Sequence, residues 1–147
     1  MISVTVSVRD FDAGAEIQKI AALGGGAVSS FIGQVRGEEP LVAMELEHYP
    51  AMTEKALRGI AEQAADKWSL HGISIYHRVG RLDIGAQIVL VCTGSDHRQA
   101  AIEACSYIMD QLKTIAPFWK KEIWQDGSET WVDERQSDVD AAAGWTK

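Results

Sequence analysis

The segment KTIAPFWKKE, residues 113–122, places three lysines around a proline and two aromatic rings, in a chain whose net charge is −7. Pro117 cannot continue a helix, so Lys113 and Lys120 belong to separate backbone segments. Ammonium groups beside apolar rings can stabilise developing negative charge or act as acid–base groups and nucleophiles. The alternative is structural, because a lysine in the last turn of a helix also interacts favourably with the helix dipole. These residues alone leave both interpretations open.

Further cations lie at the ends of predicted elements. His97 and Arg98 follow Asp96 at the start of a predicted helix, where free backbone N–H groups and the dipole favour an anion. Arg36 ends a predicted strand and presents a planar fork suited to phosphate or carboxylate. Each residue also has a structural interpretation: the arginines point into solvent, and His97 packs at a strand end. Anion binding is therefore one of two hypotheses for each position.

The composition limits the classes of protein to consider. The chain has 147 residues, of which 46% are hydrophobic and 24% charged, and we treat residues 1–147 as one domain. The acidic balance argues against nucleic acid as a partner. No apolar run approaches the roughly 20 residues that span a bilayer, so we expect no membrane partner.

The cysteines and histidines do not have metal-ligand spacing. Cys92 and Cys105 each lie in an apolar pattern typical of a buried structural thiol, and a reactive thiol is the alternative. The four histidines are scattered along the chain. We therefore expect no metal and no cofactor, and a reducing, cytoplasmic location.

Periodicity predicts the elements of the N-terminal half. Alternation in ISVTVSV predicts a first strand, and Asp12 is placed to cap a helix that runs toward Leu23. Residues 27–36 and 41–49 read as two strands, and the short GEEP between them predicts a hairpin. Thr53 opens an amphipathic helix whose apolar stripe ends at Trp68.

The C-terminal half continues in the same way. ISIYHRVG and AQIVLVCTG read as strands joined by a loop, RLDIGA. Ser95 or Asp96 caps a helix through Lys113, and Asp126–Gly127 predicts a hairpin turn. The segment SDVDAAAGWTK predicts a loosely attached helical tail. Strand pairs without an intervening helix indicate an α+β fold with a mixed, largely antiparallel sheet.

Several segments together resemble one family, the large, catalytic subunit of molybdopterin synthase. They are FIGQVR, LEHYPAMTEKAL, HRVGRLDIGAQIVLV, SDHRQAAIEACSYIMDQLKTIAPFWKKE and WVDERQSD, in this order. The resemblance implies an α/β hammerhead fold and a homodimer within a heterotetramer. A small ubiquitin-like sulfur-carrier subunit, ending in a Gly-Gly thiocarboxylate, would bind at each end. The family is a sulfurtransferase that converts a pterin phosphate, cyclic pyranopterin monophosphate (precursor Z), into molybdopterin.

The resemblance also implies roles for individual residues. The family's functional lysines match Lys113 and Lys120, which are the expected catalytic residues. Its substrate-binding positions match Gln34, Val35, Arg36, His97, Arg98, Lys113, Lys120, Lys121 and Glu122, and Phe31 and Met109 match residues that line the pocket. Two features depart from the family: Gln34 replaces a frequent lysine, and the GEEPLVAME segment is short and acidic.

Two other classes of function are consistent with parts of this pattern. One is a non-catalytic anion-binding or scaffold protein, against which the presence of both lysines argues. The other is an acyl-transfer enzyme with Cys105 as its nucleophile. For Lys121 and Glu122 a purely structural pairing with other surface charges is also open.

Overall fold

A computed structural model describes residues 1–132 and 136–145 of the chain. Eight strands and four helices occur in these residues. In chain order they are β1 (Ile2–Ser7), α1 (Ala13–Ala21), β2 (Ala27–Gln34), β3 (Leu41–His48), α2 (Pro50–Lys67), β4 (Leu70–Arg78), β5 (Gly80–Asp83), β6 (Gln87–Ser95), α3 (Arg98–Leu112), β7 (Phe118–Trp124), β8 (Glu129–Val132) and α4 (Gln136–Gly144). The predicted α+β class is confirmed.

The strands form two four-stranded sheets. The first has the order β1-β4-β6-β2, in which β1 and β4 are parallel and the other pairs antiparallel. The second has the order β5-β3-β7-β8 and is antiparallel throughout. The expected mixed, largely antiparallel pairing is therefore present, but it is divided between two sheets.

The main core lies between the first sheet and helices α2 and α3. Leu57 of α2, Ile108 of α3, and Ile73, Ile75 and Val91 of the sheet are at most 2% exposed there. Helix α1 packs on the opposite face, where Gly94 leaves room for Ile20: a Cβ at residue 94 would lie 2.7 Å from Ile20 Cγ2. The sheet is thus covered on both faces, which accounts for the unbroken apolar run in β6.

The predicted hairpin between residues 27–36 and 41–49 is wrong. β2 pairs with β6, whereas β3 pairs with β5 and β7, so the two strands belong to different sheets. β6, which is buried from Val89 to Ser95, has a neighbour on each side, and β2 occupies the side that β4 leaves open. The RLDIGA segment, expected to be a loop, contributes β5 to the second sheet.

Helix starts agree with the predictions only in part. Asp12 caps α1 as predicted, since its Oδ1 accepts a hydrogen bond from Ala15 N at 3.1 Å. Helix α2 begins at Pro50 rather than Thr53, as expected for a proline in the first turn. The N-cap of α3 is His97 and not Ser95 or Asp96, because Asp96 instead contacts the His71 ring, 2.6 Å away.

The C-terminal segments pack more firmly than the sequence predicts. The hairpin turn at Asp126–Gly127 is confirmed, with β7 and β8 paired on either side. The predicted helical tail is present as α4, but it is docked: Trp145 Nε1 donates to Asp110 Oδ2 at 2.5 Å, and its ring meets Trp68 and Tyr107 edge-on. Residues 146–147 of that prediction lie outside the described residues.

Candidate active site

A cavity of about 770 Å³ opens where the two sheets meet the C-terminal end of α3. Its apolar wall includes Met109 and Leu112 of α3 and Phe118 of β7, and its cationic side chains are Arg36, Lys113 and Lys120. A ligand in this cavity would therefore have its anionic groups near the cations and its flat or apolar part against the hydrocarbon wall. The chain as a whole is acidic, so this clustering of cations is local.

Lys113 and Lys120 reach this cavity from two different backbone segments. Lys113 is the C-cap of α3, and its N–H donates to Met109 O at 3.2 Å. Pro117 follows, after which the chain continues as β7. Side chains alternate along a strand, so Phe118 and Lys120 line the cavity while Trp119 points away. The expectation that the two lysines stand on separate segments is correct, and the bend brings them together.

The end of β2 supplies the third side of the cavity. Val35 is 2% exposed and is held by two backbone bonds, from its N–H to Ala86 O at 2.9 Å and from Gly85 N to its own carbonyl at 2.8 Å. These bonds leave the flanking side chains of Gln34 and Arg36 exposed at the cavity mouth. Phe31 of β2 and Met109 of α3 also line the cavity.

His77 is a cavity residue that the sequence analysis missed. It lies on β4 and is 8% exposed. Burial, with a smaller effect from the charges of Lys120 and Lys113, lowers its pKa from 6.5 to about 4. The signal in the sequence was its alternation with Ile73 and Ile75, which places residue 77 on the core-facing side of β4.

His97 and Arg98 lie outside this cavity. They stand at the start of α3, and its 15 residues separate them from Lys113 by about 22 Å along the helix axis. Both side chains are exposed. The nearby Asp96 carboxylate is paired with His71, which holds the pKa of Asp96 below its usual value. One protomer does not bring these two residues together with the lysines.

Lys121 and Glu122 also do not line the cavity. Lys121 lies on the opposite face of β7, where its Nζ is 3.0 Å from Glu45, 3.4 Å from Glu47 and 3.4 Å from Glu129. Its hydrogen bond to Glu45, followed by those other carboxylates, raises its pKa. We call Lys121 and these three glutamates the carboxylate cluster. Side-chain alternation along β7 therefore places the neighbouring lysines, Lys120 and Lys121, on two different surfaces, and the three carboxylates compensate the charge of Lys121.

Both cysteines are buried and chemically protected. Burial raises the pKa of Cys92 to about 11 and also raises the pKa of Cys105 above its usual range. A thiolate is the reactive form, so these thiols are poor nucleophiles at neutral pH. The expectation of buried structural cysteines is confirmed.

The described part of the chain contains neither a cluster of metal-ligating side chains nor a membrane-spanning helix. Within residues 1–132 and 136–145, no three His, Cys, Asp or Glu side chains are grouped as metal ligands. In the same residues no helix is long and apolar enough to cross a membrane.

Comparison with known proteins identifies the family. Residues 6–115 match the sequence profile described as MoaE protein. The chain is 48% identical over 150 residues to the molybdopterin synthase catalytic subunit of Pseudomonas aeruginosa, covering 98% of this chain and 99% of that one. It is also similar to the solved molybdopterin biosynthesis MoaE protein from Burkholderia ambifaria, with 47% identity, a TM-score of 0.85, and 100% and 99% of the two chains covered.

A more distant structure shares the fold. It is the solved complex of subunits 1 and 2 of molybdopterin-converting factor from Helicobacter pylori, with 21% identity, a TM-score of 0.71 and 91% of each chain covered. The profile match spans most of the sequence, and the relatives are nearly half identical along its whole length. The chain therefore belongs to the MoaE protein family.

Proposed function

We propose that this chain is the catalytic subunit of molybdopterin synthase, a sulfurtransferase in molybdenum cofactor biosynthesis. It would transfer two sulfur atoms from carrier thiocarboxylates to cyclic pyranopterin monophosphate (precursor Z), forming the molybdopterin dithiolene. The observation that carries the proposal is the cavity that contains both Lys113 and Lys120, in a chain whose relatives are named molybdopterin synthase catalytic subunit.

The charges of the cavity suit both reactants. The substrate is a phosphate-bearing pterin, and the sulfur donor is an acyl thiocarboxylate anion. Arg36, Lys113 and Lys120 come from β2, α3 and β7 and lie around one space. Holding two anions together there raises their effective concentration, and the apolar wall keeps the electrostatic interactions strong.

Each transfer proceeds in two stages in which the lysines take part. The thiocarboxylate sulfur bonds to a side-chain carbon of the pterin while a C–O bond at that carbon breaks and its oxygen leaves, which gives a thioester. Water then loses a proton and adds to the acyl carbon of this thioester. The tetrahedral oxyanion that results expels the sulfur to the pterin and leaves a carboxylate on the carrier. An ammonium beside this oxyanion stabilises it. We assign this role to Lys113. We assign to Lys120 an ion pair with the terminal thiocarboxylate of the carrier.

The sulfur donor must come from outside the chain. Both cysteines are buried with raised pKa values, so neither is suited to carry sulfur. The Helicobacter pylori relative was solved as a complex of two subunits, which supports a small-subunit partner here. That carrier would end in a Gly-Gly thiocarboxylate, as the resemblance to the family implies, and glycines would keep such a tail narrow where it enters the cavity that Phe118 and the lysines line. The reducing cytoplasm, where thiols stay free, is the location we propose.

A homodimer would explain the positions of His97 and Arg98. β2 is one of the two edge strands of the first sheet, β1 being the other, and its unpaired backbone groups can pair with a second chain. On β2 itself Val28 and Ile32 are 42% and 38% exposed, and Phe31 of β2 and Ile102 of α3, which border one surface depression, are 43% and 53% exposed. An apolar patch of this kind is typical of a protein interface.

Pairing two β2 strands across a two-fold axis would reverse their direction. The Ala27 end of one strand would then lie beside the Gln34 end of the other. Ala27 is opposite Ser95, just before α3, whereas Gln34 borders the cavity. His97 and Arg98 of the partner subunit would thereby approach the cavity and bind the substrate phosphate. Substrate contacts by Gln34, Val35, Lys121 and Glu122 remain part of this proposal, with Lys121 and Glu122 contributing from outside the cavity lining.

The proposed function is tested by reconstitution. The chain is co-expressed with a thiocarboxylated carrier, supplied with cyclic pyranopterin monophosphate, and the pterin product is weighed by mass spectrometry. We expect a product that contains two sulfur atoms and requires the carrier. An unchanged pterin, or an equal rate with free sulfide in place of the carrier, would overturn the two-subunit mechanism.

A further inference from the structure

His77 forms part of the cavity wall between the two lysine-bearing segments. Its ring stacks on Phe118, with centroids 4.0 Å apart and planes inclined by 20°. Phe118 is two residues before Lys120 on β7, and both line the cavity together with His77 and Lys113. The imidazole is therefore fixed in position beside the groups to which we assign the sulfur transfer.

The hydrogen bonding of the ring determines which of its two nitrogens is able to accept a hydrogen bond. Nδ1 lies 2.8 Å from the carbonyl oxygen of Arg78. A carbonyl only accepts hydrogen bonds, so Nδ1 carries the proton and donates. In a neutral imidazole the other nitrogen, Nε2, is then an acceptor. The backbone of β4 thus sets the tautomer of His77.

This acceptor differs from the cationic side chains of the cavity, and the other side-chain amide or imidazole acceptor in the lining is that of Gln34, which is exposed at the mouth. Arg36, Lys113 and Lys120 have only hydrogen-bond donors on their side chains. Donors of this kind bind phosphate and carboxylate, but they do not pair with an N–H or O–H of a ligand. A ligand with both an anionic group and a polar ring needs an acceptor for the ring's hydrogens as well.

We propose that His77 is a specificity-determining residue of this cavity, whose Nε2 accepts a hydrogen bond from an N–H or O–H on the ring system of the ligand. The ligand class is then an anionic heterocycle with a donor at a fixed distance from its charged group. This inference rests on the proposed function, because it names a further contact to the same pterin phosphate.

Burial and, to a smaller extent, the charges around His77 keep its ring neutral, which is the form that can accept a hydrogen bond. Burial is the main cause of its lowered pKa, and the neighbouring charged and titratable groups that contribute are Lys120 on β7, Lys113 at the end of α3 and His48 on β3. All three disfavour a proton on the imidazole. At neutral pH the ring is thus neutral, and Nε2 keeps its lone pair.

Two variants separate hydrogen bonding from packing. His77→Phe keeps a flat ring against Phe118 and removes the acceptor, whereas His77→Gln places an amide oxygen near the position of Nε2. In the reconstituted reaction we expect His77→Phe to raise KM for cyclic pyranopterin monophosphate roughly 10- to 100-fold with little change in kcat, since an unsatisfied donor is costly to bury. His77→Gln should recover most of this loss.

Inorganic phosphate, measured as a competitive inhibitor, serves as the matched control, because it needs only the cations. Its inhibition constant should be the same in wild type and His77→Phe. An unchanged KM in His77→Phe would overturn the inference. Equal losses in both variants, or a parallel loss of phosphate inhibition, would show that His77 acts only through packing and would overturn it as well.

A measurement on the wild-type protein does not depend on the variants folding. In ¹⁵N-histidine NMR spectra, the Nε2 resonance of His77 should move when cyclic pyranopterin monophosphate is added and stay in place when phosphate is added. A stationary Nε2 resonance at saturating pterin would overturn the inference. Failure of the proposed function would give a different result, because neither the wild type nor any position-77 variant would then make molybdopterin.

Discussion

Lys113 and Lys120 show how two residues of the same type acquire different surroundings. Lys113 ends α3 with helical dihedral angles (φ −68°, ψ −21°) and is exposed at the cavity, whereas Lys120 belongs to the extended strand β7 and is half-buried. The exposed residue can approach a bound substrate from the mouth. In the proposed function the half-buried Lys120 would hold the carrier tail beside Phe118, which lines the same cavity.

The tail-binding role of Lys120 predicts a selective loss of affinity. Lys120→Ala should weaken binding of the thiocarboxylated carrier and leave binding of a carrier without its tail unchanged, because the shortened carrier never reaches the cavity. A charge-assisted contact of this kind contributes about 1.5–3 kcal/mol. Calorimetry on the four combinations of wild type or variant with full-length or shortened carrier measures this. Equal losses for both carriers would mean that Lys120 does not grip the tail.

His77 predicts a pH dependence of folding stability. The unfolded chain takes up a proton on this residue near its ordinary pKa of 6.5, whereas the native protein does so only near 4. Between these values the unfolded state binds more protons, so stability falls as the pH is lowered. The contribution of His77 at about pH 4 should be a loss of roughly 3 kcal/mol relative to neutral pH.

Urea unfolding of wild type and His77→Gln across this range isolates the effect, since carboxylates titrate alike in both proteins. The difference in unfolding free energy between the two should change by roughly 3 kcal/mol from neutral pH to about pH 4. A difference that stays constant with pH would contradict the buried, neutral state of His77.

At the scale of elements, side-chain alternation along β7 gives the strand two faces, one that lines the cavity and one that packs in the carboxylate cluster. One face carries Phe118 and Lys120 into the cavity. The other carries Lys121 into the carboxylate cluster, where Glu45 and Glu47 come from β3 and Glu129 from β8. A single strand thus lines the candidate active site and ties together the second sheet.

The carboxylate cluster predicts a salt-dependent loss of stability. Lys121→Met leaves three glutamates facing one another, so their repulsion should lower the thermal unfolding midpoint at low ionic strength. About 1 M salt should restore much of the midpoint, because it shortens the Debye length to about 3 Å. Lys19→Met, in which an exposed lysine loses its single ion pair within the described residues, with Glu16, is the matched control. Equal midpoints for wild type and Lys121→Met at low salt would contradict this account.

At the scale of the whole molecule, the residues at the two ends of α3 raise the question whether one site needs side chains from two protomers. Lys113 lies at one end, and His97 and Arg98 at the other, about 22 Å away. If all three act on one substrate, a second protomer must supply two of them. A two-fold axis at the β2 edge would bring opposite ends of the two α3 helices together.

Mixed dimers test whether the site is shared. Lys113→Ala and Arg98→Ala, each with its own affinity tag, are co-expressed and purified through both tags. With sharing, one site of the mixed dimer has every residue intact, so its activity should be about half that of wild type. A mixed dimer of Lys113→Ala with wild type shows the rate of one intact site. If the Arg98→Ala homodimer is inactive and the two-variant dimer is equally inactive, Arg98 acts within its own chain and the site is not shared.

Local signals in the sequence predicted local structure well. Asp12 as a helix cap, the strands β4 and β6, and the Asp126–Gly127 turn follow from side chains that interact with their immediate neighbours. The separation of Lys113 from Lys120 by Pro117 is of the same kind. The resemblance to a known family supplied the site residues, and seven of these line one cavity: Phe31, Gln34, Val35, Arg36, Met109, Lys113 and Lys120.

Non-local interactions explain what the sequence did not predict. The GEEP segment has the length of a hairpin loop, yet β2 and β3 do not pair with each other. Instead β2 pairs with β6 and β3 pairs with β7, which places them in different sheets. Asp96 was expected as a cap, but His71, distant in sequence, pairs with it. His77 was not predicted as a site residue because its partners, Phe118 and the two lysines, come from other elements.

The most direct test of the account is the rate of molybdopterin formation by Lys113→Ala in the reconstituted reaction, with Lys19→Ala as an exposed-lysine control. Loss of an oxyanion stabiliser should lower the rate about 100- to 1,000-fold, while circular dichroism shows an intact fold and Lys19→Ala stays near wild type. If folded Lys113→Ala makes molybdopterin within a few-fold of the wild-type rate, the chemistry does not depend on Lys113, and the central claim is wrong.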